Sequence, residues 1–307
     1  MSKLWANTAR PPRRNIAPMN LDHFGIDTIT LAGSLEGKLR AVREGGFTHI
    51  MLSAQDIVGH PQGDAAAIAA VRASGLRPTG LQVLRDFEGL EDHLHAYKVD
   101  IAKAMLEMCR ASGSRLLIVC SSASSHAIGD AERLARDLRK LATLAVPYGI
   151  RIAYEALSWG RYVNEPLQAW DIVGRADRAN LGLALDSFHM LAAHTEWDAL
   201  EEIPADKIFI VQLSDFMWQE VRTREERITT ARHLRVFPGE GVHSEEVAGL
   251  ARKLDEMGYR GDYSFEVFND DYVQLPPRTV VERARRSVKW ITDRVSRRSL
   301  PIRRAAS

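Results

Sequence analysis

The stretch VPYGIRIAYEALSWGRYVNEP, residues 146–166, decides how this chain is read. Gly149 closes an amphipathic segment, the position a glycine takes just past a helix end. The residues that follow, RIAYEAL from Arg151, form a short apolar run with the length and composition of a buried strand. Glu155 lies inside that run. A carboxylate entering an apolar interior is costly unless something positive meets it. Whether Glu155 has such a partner depends on what else arrives at the same place.

The same phrase, helix then glycine then strand, recurs in REGGFTHI, RASGLRPTG and RASGSRLL. Eight runs read as strands: GIDTITLA from Gly25, THIMLS from Thr48, RPTGLQVL from Arg77, RLLIVCS from Arg115, RIAYEAL from Arg151, LGLALD from Leu181, IFIVQLSD from Ile208 and YSFEVF from Tyr263. Between them, SLEGKLRAVREG, DAAAIAAVRASG, DAERLARDLRKLATLAVPYG and SEEVAGLARKLDEMG carry apolar residues at three- and four-residue steps, one face inward. Eight strands, each followed by a helix or a long loop, predict a single α/β domain, a (β/α)₈ barrel. The alternative, an open doubly wound sheet, lacks a G-x-G-x-x-G after the first strand. There is no internal repeat and no interior low-complexity linker. The expected division is a polar arm over residues 1–20, the barrel over 21–297 and a basic tail over 298–307.

The 307 residues suffice for a sizeable core. Lys plus Arg (41) and Asp plus Glu (40) nearly cancel, so no global field favours a polyanion. Basic runs sit only near the ends, RPPRR and RRSLPIRRAAS, with no aromatic residues interleaved for nucleic-acid stacking. The two cysteines, Cys109 and Cys120, have no metal or redox spacing, which fits a reducing compartment. No apolar run has the length of a membrane span and no signal-peptide core is seen. The expectation is a soluble, cytoplasmic protein acting on a small molecule, with no nucleic-acid or membrane partner and homo-oligomerisation left open.

Four of the last strands carry an oxygen-bearing side chain at or near the C-terminal end: Glu155, Asp186 in LALDSFH, Gln212 in IVQLSD and Glu266 in SFEVF. In a barrel these ends meet on the face where barrel enzymes keep their active sites. Three carboxylates converging there repel one another unless a cation sits among them. An all-oxygen shell favours Mg²⁺ or Mn²⁺, with Co²⁺ tolerated, over the zinc-selecting Cys and His sets. One such residue alone reads equally well as a helix cap or salt-bridge partner; four on successive strands read as metal ligands. His189, three residues past Asp186, is placed to act as an acid or base. Arg85, in LRDFEG after strand three, and Arg235, in HLRVFPGEG after strand seven, offer forked guanidinium groups for a carboxylate or oxyanion. The plainer role for Arg85 is an ion pair with Asp86 or Glu88.

Together YEALSWGRYVN, LALDSFHML, IFIVQLSD, RVFPGEG, FEVFND and LRDFEG resemble the bacterial 3-dehydroshikimate dehydratases of the xylose-isomerase-like barrel superfamily. The likeness runs in order from about Gly25 to Phe268. It implies metal ligands at Glu155, Asp186, Gln212 and Glu266, an acid/base histidine at His189 and substrate-gripping arginines at Arg85 and Arg235. Many sugar isomerases of the superfamily carry His at the third ligand position, so Gln212 is informative. Longer members carry a further C-terminal dioxygenase-like domain, and this chain is expected to be a single-domain form. Four places depart from the family pattern: MLSAQDI on the second strand, Ala231 in place of a serine, Tyr162 in place of a histidine and LQVLRDFEG, less aromatic than the usual version. They touch the substrate side rather than the metal side.

The resemblance implies a hydro-lyase that turns 3-dehydroshikimate into protocatechuate (3,4-dihydroxybenzoate) through an enolate whose charge a divalent cation stabilises, with His189 removing the proton. The nearest rival is a metal-dependent isomerase, epimerase or dehydratase of sugars or cyclitols, whose substrates need no arginine for a carboxylate. An abasic-site endonuclease on this fold would need several histidine ligands and a basic face, both missing here. A barrel that binds without turnover is opposed by the complete set of His189 and four ligands.

Overall fold

A computed structural model describes residues 19–297. The expected arm over residues 1–20 lies outside these except for its last two residues, and the expected tail over 298–307 lies outside them altogether. Eight parallel strands close on themselves in sequence order. They are β1 (Phe24–Asp27), β2 (His49–Ser53), β3 (Arg77–Leu84), β4 (Leu116–Cys120), β5 (Arg151–Glu155), β6 (Leu181–Asp186), β7 (Ile208–Leu213) and β8 (Asp262–Phe265). The helices are α1 (Leu35–Glu44), α2 (Ala54–Val58), α3 (Asp64–Ala73), α4 (Asp92–Ser112), α5 (Ala131–Ala145), α6 (Pro166–Ala176), α7 (Ser187–Ala192), α8 (Arg224–His233), α9 (Ser244–Met257) and α10 (Pro277–Arg297). The barrel closes, as the alternation of strands and helices predicts. Among the described residues no helix is long and apolar enough to cross a membrane.

Local chemistry sets the element ends. Ser34 accepts from the Gly37 N–H to start α1, and Asp130 accepts from Arg133 to start α5. Gly113 and Gly258 end α4 and α9 at φ of +83° and +90°, a region L side chains avoid. Several strands are shorter than their apolar runs suggest, and two of them bear on the site. β1 stops at Asp27 because its carboxylate accepts from the Ile29 N–H at 3.0 Å and turns the chain into a 3₁₀ segment, Thr28–Thr30. β8 stops at Phe265, which leaves Glu266 one residue past the strand.

The helices lay apolar stripes on the outside of the barrel, such as Leu134, Leu138 and Leu141 of α5. Met51, Ile118, Ala153, Ala184 and Ile210 pack together as a separate interior cluster. Strand side chains alternate, so the residue two further along points the same way. That step leads from the apolar interior to Ser53, Cys120, Glu155, Asp186 and Gln212. The register agrees: Cys120 pairs with Glu155, and Asp186 with Gln212. A polar layer thus sits on an apolar floor at the C-terminal face of the barrel.

Candidate active site

Glu155, Asp186, Gln212 and Glu266 are all buried in this layer, linked through shared neighbours. Asp186 caps α7 with Oδ1, which accepts from the Phe188 N–H at 2.8 Å, and turns Oδ2 to the interior. The cap and the site role are therefore compatible in one residue. Arg235 Nη1 donates to Asp186 Oδ2 at 2.6 Å and to Glu266 Oε2 at 3.0 Å. Gln82, on β3, donates to Glu266 Oε1 at 2.9 Å and accepts from Gln212 Nε2 at 3.0 Å. On the other side, the Cys120 thiol donates to Glu155 Oε2 at 2.8 Å.

His189 stands over the layer, its Nε2 3.7 Å from both Glu155 Oε1 and Asp186 Oδ2. Burial, which outweighs the pull of Asp186, lowers its pKa to about 3, so the ring is neutral. The Ser158 backbone N–H donates to Nδ1 at 3.2 Å. The Ser158 hydroxyl lies 3.1 Å from the same nitrogen, so Ser158 orients the ring from its Nδ1 side. His189 thus presents Nε2 to the cleft, where an acid or base would act. Trp159 holds the ring edge-on at 4.8 Å.

Four buried carboxyl groups, these three and Asp27, face one buried guanidinium, Arg235. Burial, then Asp186, raises Glu155 to about 7. Burial also carries Glu266 and Asp27 well above the carboxylate range. Burial alone would raise Asp186 too, but Arg235 holds it below its ordinary value. Gln212 Oε1 is buried with no hydrogen-bond partner among the described residues. An unsatisfied amide oxygen beside carboxylates short of counter-charge fits a hard divalent cation. Ligand atoms of Glu155, Asp186 and His189 lie within 4.8 Å of one another, so a second candidate set shares two members with the first.

Arg235 lines the cleft, yet its Nη1 is engaged by the carboxylates and its Nε donates to the Ala231 carbonyl at 2.8 Å. It is the counter-charge of the layer before it is a grip for substrate. Arg235→Met should therefore lower the stability of the metal-free protein by about 3 kcal/mol or more, because it strips a buried pair of one partner. Denaturant unfolding measures this; an unchanged midpoint would contradict the assignment.

Arg85 is exposed at the rim of the same cleft, whose volume is about 290 Å³. It does not pin its loop through Asp86 or Glu88. Asp86 accepts from Ser122 and Ala123, and Glu88 from Ser122 and Tyr154. Of the departures from the family pattern, Ser53, Ala54, Gln55 and Ala231 line the cleft. Tyr162 does not: 42% exposed, it packs against Gly129. The sequence reading passes over Asp27, Gln82 and Cys120, although the two-residue step along β4 would have flagged Cys120.

Residues 39–294 match the model of a family described as xylose isomerase-like TIM barrel. The chain belongs to that family. This is the superfamily expected from the motifs. A 3-dehydroshikimate dehydratase of Pseudomonas aeruginosa is 37% identical over 88% of this chain and 42% of its own length. One from Pseudomonas putida is 34% identical over 90% of this chain and 43% of its own. The chain thus spans about two-fifths of the length of these curated relatives. An inosose isomerase of Bacillus velezensis is 26% identical over 88% of this chain and 96% of its own length. Among solved structures, a xylose isomerase-like TIM barrel/4-hydroxyphenylpyruvate dioxygenase fusion protein has a TM-score of 0.84 at 34% identity, covering 90% of this chain and 43% of that one. A crystal structure of the IolI protein with a bound zinc atom has a TM-score of 0.76 at 23% identity, covering 89% of this chain and 99% of that one, which speaks for the shared fold alone.

Proposed function

We propose that this barrel is a metal-dependent hydro-lyase that dehydrates 3-dehydroshikimate to 3,4-dihydroxybenzoate, with the cation held by Glu155, Asp186, Gln212 and Glu266. The observation that carries the reading is the buried Gln212 Oε1, unpartnered in a layer of carboxylates. The likeness to the two dehydratases supports the choice of substrate. The all-oxygen set favours Mg²⁺ or Mn²⁺, with Co²⁺ tolerated.

A divalent cation here supplies positive charge to the substrate oxygen on which charge develops. The chain's own residues do the rest. His189, neutral and with Nε2 facing the cleft above Glu155 and Asp186, takes the proton beside the ketone. The protonated imidazole then gives that proton to the departing β-hydroxyl. The β-hydroxyl departs as water, and the remaining ring tautomerises to an aromatic one, which makes the step effectively irreversible. Arg85 at the rim orients the substrate carboxylate.

Arg85→Ala should raise KM for 3-dehydroshikimate roughly 10- to 100-fold, the worth of a charge-assisted contact, and leave metal affinity unchanged. Steady-state kinetics beside calorimetry checks this; an unchanged KM removes Arg85 from the substrate. The reading as a whole is tested by incubating Mn²⁺-loaded protein with 3-dehydroshikimate and following the ultraviolet absorbance of the aromatic product. The second reading, an isomerase, epimerase or dehydratase of cyclitols or sugars, draws on the inosose isomerase likeness and on the altered cleft wall at Gln55 and Ala231. Turnover of an inosose or keto-sugar alone, indifferent to Arg85, would establish it instead.

A further inference from the structure

Gln82 lies two residues before the end of β3 and is 5% exposed. Its amide contacts three buried side chains. Nε2 donates to Asp27 Oδ2 at 2.5 Å and to Glu266 Oε1 at 2.9 Å, and Oε1 accepts from Gln212 Nε2 at 3.0 Å. With Glu266 ionised, as it is when it holds the cation, these contacts fix which end of each amide is nitrogen. Turned over, Gln82 would set its carbonyl oxygen against two carboxyl groups at once. With Nε2 held between them, Oε1 is left facing Gln212, and an amide oxygen can only accept. Gln212 must therefore present Nε2 to Gln82. Its own Oε1 is then directed away, which accounts for a buried amide oxygen with no donor.

We infer that Gln82 is a positioning residue for the metal: through one amide, anchored on Asp27, it sets the carbonyl oxygen of Gln212 and the carboxylate of Glu266 in the orientation that binds the ion. The inference rests on the reading that Glu155, Asp186, Gln212 and Glu266 hold the cation. Outer partners of this kind tune metal affinity because a ligand free to rotate offers its donor atom only part of the time. Gln212 needs such a partner more than a carboxylate does, since half of its amide orientations present N–H₂ to the cation.

The test is Mn²⁺ affinity by titration calorimetry for wild type, Gln82→Met, Gln212→Ala and the double variant, with circular dichroism and metal-free unfolding as checks on the fold. Methionine keeps the length of the side chain and removes both functions of the amide. Gln82→Met should keep the fold and bind Mn²⁺ roughly 10- to 100-fold more weakly. In the Gln212→Ala background the same change should cost markedly less, since only its action on Glu266 remains. Should Gln82→Met not fold, Gln82→Asn, an amide one methylene short of these partners, supplies the same comparison. Wild-type affinity in the Gln82 variant, or losses that multiply in the double variant, would overturn the inference while the four-ligand site stands. If wild type binds no Mn²⁺, the site reading fails and the inference falls with it.

Discussion

Glu155→Ala is expected to abolish turnover and to weaken Mn²⁺ binding by at least roughly 100-fold, the upper range seen when even an outer partner of a ligand is lost. Calorimetry and steady-state assays read the two effects separately. Unchanged metal affinity would take Glu155 out of the shell. The metal-free protein supplies an independent check. Burial, then Asp186, raises Glu155 from 4.5 to about 7. A carboxyl with a raised folded-state pKa favours folding in its protonated form. Its contribution is fully present below about pH 4.5 and is lost as the pH rises through 7. Metal-free wild type should lose up to about 3 kcal/mol over that window relative to Glu155→Gln, which has the same shape and no titration. Saturating Mn²⁺ should reverse the sign, because the ion favours the ionised form. A metal-free variant no more stable than wild type at pH 8 would mean that Glu155 does not titrate as its burial requires.

His189→Asn should lower kcat by roughly 10²- to 10⁴-fold, the usual worth of one positioned proton donor or acceptor. Metal affinity and fold should stay near wild type. The expectation follows from the four-oxygen set: Nδ1 is engaged by Ser158, and Nε2 faces the cleft 3.7 Å from Glu155 and Asp186 without belonging to that set. If His189 were a ligand, as its closeness to those two carboxylates allows, metal affinity would fall in step with rate. Parallel calorimetry and kinetics on this one variant separate an acid or base from a metal ligand.

The barrel was legible in the sequence because a parallel sheet buried on both faces leaves continuous apolar runs, and each run here is bounded by a helix-ending glycine or a loop. The strand ends were legible too, since Glu155, Asp186 and Gln212 interrupt apolar runs that otherwise have no reason to be polar. Pairwise chemistry was not. Nothing in HLRVFPGEG says that Arg235 turns back onto Asp186 and Glu266, because that contact joins chain segments 49 and 31 residues apart. Asp27 was hidden by reading β1 through to Ala32, when its own carboxylate ends the strand. Gln82 looked like one more polar residue in RPTGLQVL. Its importance lies in the three side chains it touches, from β1, β7 and the residue after β8. The orientation of the His189 ring likewise depends on a loop residue, Ser158, whose placement follows only from closure of the barrel.

The central claim is that four oxygen-bearing side chains at the ends of the last four strands hold one divalent cation, and a crystal of the Mn²⁺-loaded protein measured at the manganese absorption edge tests it most directly. The account predicts one strong anomalous peak within bonding distance of Glu155, Asp186, Gln212 Oε1 and Glu266, with His189 outside that shell. A peak bound by Glu155, Asp186 and His189 with Gln212 Oε1 turned away, or no ordered ion in the layer at all, would contradict it.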